Sequence, residues 1–200
     1  MKKLSLIFLL VCVFSLCSCQ KQEPVSVEQI PETEEPVQPE KAPPINEPLR
    51  GTIANGKLYL SDGYATISAI DGWELTMVYE YSTRLVSSKS SDMLTIGILH
   101  DPDGRDKFDE NTKELKEQTF KNVFNETEFI SFEKIEENGI KKISSVCKVT
   151  ENQSSCIIYE YKMFINTDIY TLSYYVYGDD LTEDDVKTNA SSFEYLGQIK

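Results

Sequence analysis

Apolar residues fall along this chain in three regimes. Behind Met1-Lys2-Lys3 they run almost unbroken from Leu4 to Leu16, about a dozen residues and too few to span a bilayer as a mature helix. From Gln20 to Arg50 they thin out among prolines and glutamates. From Gly51 onward they alternate with polar residues between clusters of turn formers, which is the period of half-buried strands.

The third regime predicts most of the elements. Leu58-Tyr59-Leu60, the turn Ser61-Asp62-Gly63 and the segment Tyr64 to Ile70 read as a hairpin, with a second turn at Asp71-Gly72 before Trp73. Met93 to His100 is a strand with Leu94, Ile96 and Ile98 on one face. Asp109 to Phe124 lacks glycine and proline, and Phe108, Leu115, Thr119 and Val123 recur at near-helical spacing, widened by Phe120 and Phe124. That predicts a helix packed on a sheet by this stripe. A meander follows: Phe129 to Glu136, Ile140 to Thr150, Cys156 to Ile165 and Ile169 to Tyr177. A two-residue turn at Thr167-Asp168 would set Ile165 opposite Tyr170, Met163 opposite Leu172, Tyr161 opposite Tyr174 and Tyr159 opposite Val176, so that both apolar faces coincide. A last helix is expected from Thr182, with Glu183, Asp184 and Asp185 in the first turn where the macrodipole favours carboxylates, to about Ser192-Phe193.

The first regime reads as a signal peptide over residues 1–18. Leu16-Cys17-Ser18-Cys19 resembles the bacterial lipobox, a branched apolar residue and two small residues before an obligatory cysteine. The resemblance implies that Cys19 carries a diacylglyceryl group, that cleavage falls just before it, and that the new amino terminus is acylated. At roughly 0.8 kcal/mol per buried methylene, two or more acyl chains suffice to hold a soluble domain at a membrane. The expected place is a cell membrane reached through the lipid, with the domain outside the cytoplasm on an extracellular face or in a periplasm.

Residues 19–50 then form a tether. Seven of the eight prolines lie there with seven glutamates and neither an aromatic residue nor a glycine, a composition that buries no core. As a flexible coil the segment would span roughly 30 Å. Residues 51–200 hold 19 of the 21 aromatics and form the globular domain, large enough to be stable without a metal. Its 26 acidic against 15 basic residues, within a chain of net charge -13, argue against nucleic acid as a partner.

Candidate chemistry is sparse. Cys147 and Cys156 sit near opposite ends of a proposed hairpin; a tightest turn at residues 151 and 152 lets them face each other, and a disulfide there would contribute about 2.5–3 kcal/mol on the chain-entropy model. A looser turn places Cys147 opposite Ile158 and leaves free thiols. His100 with Asp101, Asp103 and Asp106 reads either as a metal or acid/base loop or as a solvated turn; Arg105 occupies a position where a calcium loop needs oxygen, and its closing glutamate is missing. Tyr175 and Tyr177 point away from the face of Tyr170 and Tyr174, which makes them candidate ligand-binding aromatics. The chain has no nucleophile elbow, no phosphate loop and no zinc spacing. No catalytic residue, cofactor or metal is expected.

The run from Asp62-Gly63-Tyr64 through Ile67 to Asp71-Gly72-Trp73 is similar to the opening of PsbP-like domains, and Tyr170 to Tyr174 followed by a helix closing on Ser192-Phe193 resembles their ending. Ile70 stands where that family usually has proline. The resemblance implies an α+β fold, an antiparallel sheet with helices packed on it in an α/β/α sandwich. It also implies a binding or scaffolding domain rather than an enzyme, and transfers no catalytic residue. The chain is thus expected to be a membrane-anchored lipoprotein displaying a non-catalytic binding module toward an envelope protein or wall polymer. The alternatives are a carboxylate-dependent envelope enzyme using Asp101 and Asp103, and a small-ligand receptor.

Overall fold

Asn55 and Gly56 both take positive φ, 52° and 73°, and this pair turns the chain between β1 (Thr52–Ala54) and β2 (Lys57–Tyr59). β2 continues antiparallel to β3 (Ala65–Ser68), and the short C-terminal strand β11 (Glu194–Tyr195) pairs with β3 to complete a small sheet in the order β1-β2-β3-β11. The computed structural model describes residues 49–101, 107–137, 139–151, 154–178 and 180–197. The signal peptide, Cys19, the tether, Asp103 and Asp106 lie outside the described residues.

Gly72 at φ 76° turns the chain into the larger sheet. Its strands are β4 (Trp73–Tyr79), β5 (Ser82–Ser87), β6 (Met93–His100), β7 (Glu126–Glu137), β8 (Ile140–Glu151), β9 (Ser154–Ile165) and β10 (Asp168–Val176), in the order β4-β5-β6-β10-β9-β8-β7. All neighbours are antiparallel. β10 is last of these in sequence but central in space, and Tyr170, Leu172, Tyr174 and Val176 are buried on its inner face.

That inner face packs against the small sheet. Leu58, Leu60, Ala65 and Ile67 meet Leu85, Leu94, Ile96 and the β10 residues, and Val186 and Ala190 of α2 (Glu183–Ser191) close the same core. Each fully buried Leu or Ile contributes about 1.5–3 kcal/mol. Thr182 caps α2 as expected: its hydroxyl accepts from the Asp185 N–H at 3.2 Å while its own N–H donates to the Asp185 carboxylate at 2.9 Å. The outer face is less evenly covered. α1 (Lys113–Val123) buries only Phe120, over Cys147, Val149, Cys156 and Ile158, and a separate patch of Ile143, Phe164 and Ile169 lies under Phe108 and Phe132.

The expected α/β/α sandwich with helices packed on the sheet is therefore corrected. The described residues are mostly β, two antiparallel sheets with two short helices of 11 and nine residues. An 11-residue helix is about 16 Å long, whereas seven strands span about 29 Å, so no such helix layer covers the sheet, and the small sheet takes most of the inner face instead. The expected stripe on α1 is corrected too. Leu115 and Val123 are exposed and only Phe120 is buried, because the helix rests on the sheet along one narrow line.

One register differs from expectation by two residues, and in a second the looser of the two expected turns is present. Asn166, at φ 54°, opens the turn, so Tyr170 opposes Met163, Leu172 opposes Tyr161 and Tyr174 opposes Tyr159. A shift of two preserves which residues face inward. In the β8–β9 hairpin, Glu151 pairs with Ser154, so Cys147 opposes Ile158 and Cys156 opposes Val149. The two cysteines sit diagonally on one face, both buried and both free, and the expected disulfide is corrected accordingly.

Candidate functional site

α2 is fixed between the sheets by its own side chains. The Tyr174 hydroxyl donates to Asn189 Oδ1 at 2.7 Å, and Asn189 Nδ2 donates to the Ser68 carbonyl at 2.8 Å, so one amide ties the central strand to the small sheet. Burial pushes the Tyr174 phenol well above its ordinary 10.0, which keeps it a donor at all physiological pH. β7 and β8 run on past α2, and the space between them is a cleft of about 490 Å³.

The cleft floor is apolar, made by Ile140, Val146, Met163 and Phe193, and Tyr161 stands at its inner end. The Tyr161 ring meets Tyr174 edge-on at 6.1 Å, and burial raises its phenol while the nearby Lys187 ammonium opposes the shift. The rim is charged. On α2, Lys187 reaches Glu183 at 2.6 Å; on the hairpin, Lys142 reaches Glu137 at 3.2 Å; Glu133 and the exposed Ile135 complete the β7 wall. These ion pairs are solvated and weak, so a ligand bringing its own charges can exchange with them at little cost. The arrangement is suited to holding an elongated, partly apolar segment. The single histidine lies elsewhere, with His100 Nδ1 at 2.7 Å from Asp168 Oδ1.

The sequence candidates fall at other places. Tyr175 is half-buried against the thiol cluster, its hydroxyl pushed up by burial with Glu160, Cys156 and Arg84 nearby. Tyr177 is 46% exposed, and its side chain hydrogen-bonds the Cys156 thiol. The two tyrosines share the outer face but only Tyr177 opens to solvent, and neither lines the cleft. Burial raises both thiols, Cys147 to about 11, which makes them poor nucleophiles. Asp101 is buried, its N–H donates to the Thr167 carbonyl at 2.9 Å and its carboxylate stands 3.8 Å from Lys107, so it and His100 serve different partners. Of the acidic residues around the start of α2, Asp180 accepts from the Ser87 hydroxyl at 2.8 Å, Asp185 completes the cap in the first turn and Glu183 pairs with Lys187.

Sequence reasoning missed the cleft residues and a charged group on the outer face. There Lys116 of α1 reaches Glu160 at 2.6 Å, and Lys162 lies 3.7 Å from the same carboxylate and 3.4 Å from Asn111 Oδ1. Burial lowers the Lys162 ammonium against the pull of Glu160. The only sequence signal for the cleft wall was the polarity of the Phe129 to Glu136 segment, since a strand with charges on both faces belongs at an edge.

No family model and no curated protein sequence matches the chain. Solved structures do match in fold. Cyanobacterial PsbP from Synechocystis is similar at 16% identity over 70% of this chain and 91% of that one, with a TM-score of 0.59. The Ran-binding protein Mog1p of Saccharomyces cerevisiae is similar at 12% identity over 72% of this chain and 97% of that one, with a TM-score of 0.51. The domain has a PsbP-like fold. In this PsbP-like domain the cleft lies between α2 and the β7–β8 hairpin, and at such identities the likeness extends to the backbone and not to the residues that line it.

Proposed function

We propose that the chain is a lipoprotein held at a cell membrane through Cys19, and that its PsbP-like domain is a non-catalytic binding module presented to the cell envelope. The cleft between α2 and β7–β8 carries the binding reading: an open apolar floor with self-paired charges on its rim is a recognition surface. The anchor rests on the sequence Leu16-Cys17-Ser18-Cys19 after a charged start and a short apolar run. One of the two similar structures is named as a Ran-binding protein, so this fold elsewhere carries protein recognition. An envelope protein is the favoured partner, and a wall polymer the second.

The test uses the anchored protein in cells. Photo-crosslinkers placed at Lys142 and Lys187 are expected to capture one dominant envelope component, while one at Val123 on α1 captures none. Cys19→Ser is expected to release the chain from the membrane fraction and abolish capture. Equal capture from all three positions would overturn the cleft as the binding surface, and membrane retention of Cys19→Ser would overturn the anchor.

A further inference from the structure

β7 is the last strand of the larger sheet, twelve residues long, and its outer backbone edge pairs with no described strand. Beyond a bulge between Phe129 and Ser131 its pairing is regular from Ser131 to Glu137, and at about 3.3 Å per residue that stretch offers roughly 23 Å of edge N–H and C=O groups. The opposite edge, β4, is seven residues long, carries its bulge mid-strand between Leu75 and Met77, and does not border the cleft. β7 does border it, with Ser131, Glu133, Ile135 and Glu137 forming the wall.

The side chains of β7 select what can pair there. Five of its twelve residues are glutamates, all exposed, and its one lysine is turned away: Lys134 Nζ donates to the Phe108 carbonyl at 2.6 Å and lies 4.7 Å over the Phe108 ring. A second copy of this chain is therefore a poor occupant, since edge-to-edge pairing would oppose glutamates to glutamates. Between Glu133 and Glu137, on the cleft side, Ile135 is 45% exposed beside the apolar floor. This alternation reads as acidic, apolar, acidic along a free edge.

We infer that the β7 edge is a docking site for an extended basic segment of a partner protein, which adds to the sheet as an eighth strand. Backbone hydrogen bonds to β7 supply the register-independent part of the affinity, and alternate side chains supply specificity. The cleft-facing side chains of the partner follow the order basic, apolar, basic: the cations face Glu133 and Glu137, and the apolar residue covers Ile135 over the floor of Ile140 and Val146. This inference rests on the binding-module reading and names the partner chemistry for it.

The probe is a fluorescein-labelled heptapeptide in which threonines alternate with lysine, isoleucine and lysine, titrated into the full-length chain. Saturable binding is expected, with amide exchange slowed over residues 131–137. Glu133→Lys with Glu137→Lys should weaken it about tenfold or more, because like charges then face each other across the strands. Ile135→Lys is a second surface variant with the same expectation. N-methylation of one alternate set of peptide amides should abolish binding and of the other set should not, since an edge pairs with one set only. Equal effects of both sets, equal binding of a scrambled peptide, or protection elsewhere in the chain would each overturn strand addition. If the peptide fails while crosslinkers at Lys142 and Lys187 still capture a component, only the occupant is wrong; if both fail, the binding reading falls with it.

Discussion

The two faces of the larger sheet solve the same problem differently. On the inner face the buried phenols are hydrogen-bonded: Tyr174 donates to Asn189, and Tyr170 donates to the Asp62 carboxylate at 2.7 Å, each at the end of a ring sunk in hydrocarbon. On the outer face the cover is thin, the apolar residues form two separate patches, and a lysine–glutamate–lysine group lies between them. Cooperativity therefore resides on the inner face, which joins both sheets and α2, whereas the outer face joins one helix to a few strands.

The largest test of that contrast is truncation. Leu172→Ala, at the centre of the inner core, should cost about 3–4 kcal/mol, while Phe120→Ala, under a helix free to settle, should cost about 2 kcal/mol and loosen α1 before the rest. Urea denaturation with hydrogen exchange reads both, and equal costs would erase the distinction. Glu160→Gln comes next, at about 2 kcal/mol, because Lys116 and Lys162 then face each other partly buried without their shared carboxylate. Chevron or equilibrium unfolding of Glu160→Gln against Lys162→Met separates loss of the ion pair from repulsion between the lysines: only the second variant removes the repulsion.

Smaller again is Tyr174→Phe, which strands Asn189 Oδ1 and should cost about 1–1.5 kcal/mol. The same phenols set the alkaline limit. Burial raises Tyr170 and Tyr174 in the folded chain above the ordinary 10.0, so the folded state holds these protons more tightly than the unfolded one. Their stabilisation is fully present below about pH 10 and is lost as pH rises beyond it. Tyrosinate absorbance should therefore appear together with unfolding, and an early, separate titration of both phenols would contradict their burial. Least costly of all are the thiols: at pH 8 neither Cys147 nor Cys156 should react with iodoacetamide until the domain unfolds, whereupon mass spectrometry should count two adducts between them.

Local chemistry was legible in the sequence, and long-range placement was not. The cap at Thr182, the turn at Gly72, the alternating face of Leu94, Ile96 and Ile98, and the inward set on β10 all follow from spacing and turn residues, and the structure has them. The Thr167-Asp168 turn was misplaced by one residue, because Asn166 tolerates positive φ and takes the first turn position. The small sheet was hidden since β11 is two residues long and finds β3 from the far end of the chain. Leu115 and Val123 misled because helical period identifies a stripe without saying what lies beneath it. The cleft was illegible for a related reason: Glu133, Ile135, Lys142 and Lys187 are ordinary surface residues until α2 and β7 are brought side by side.

One feature of the small sheet bears on load. β1 is an edge strand of three residues that pairs with β2 alone and follows Gly51, whose N–H donates to the Leu60 carbonyl at 3.3 Å. A pull on the N-terminal end of β1 acts first on the Thr52–Tyr59 pair, at the open end of the hairpin, and last on Ala54–Lys57 beside the turn. The first yield under a pull would release β1 and a few residues of slack while Leu58, Ile67 and the shared core stay packed. If the chain is held through Cys19 as proposed, β1 would be the first strand to yield between that anchor and a bound partner.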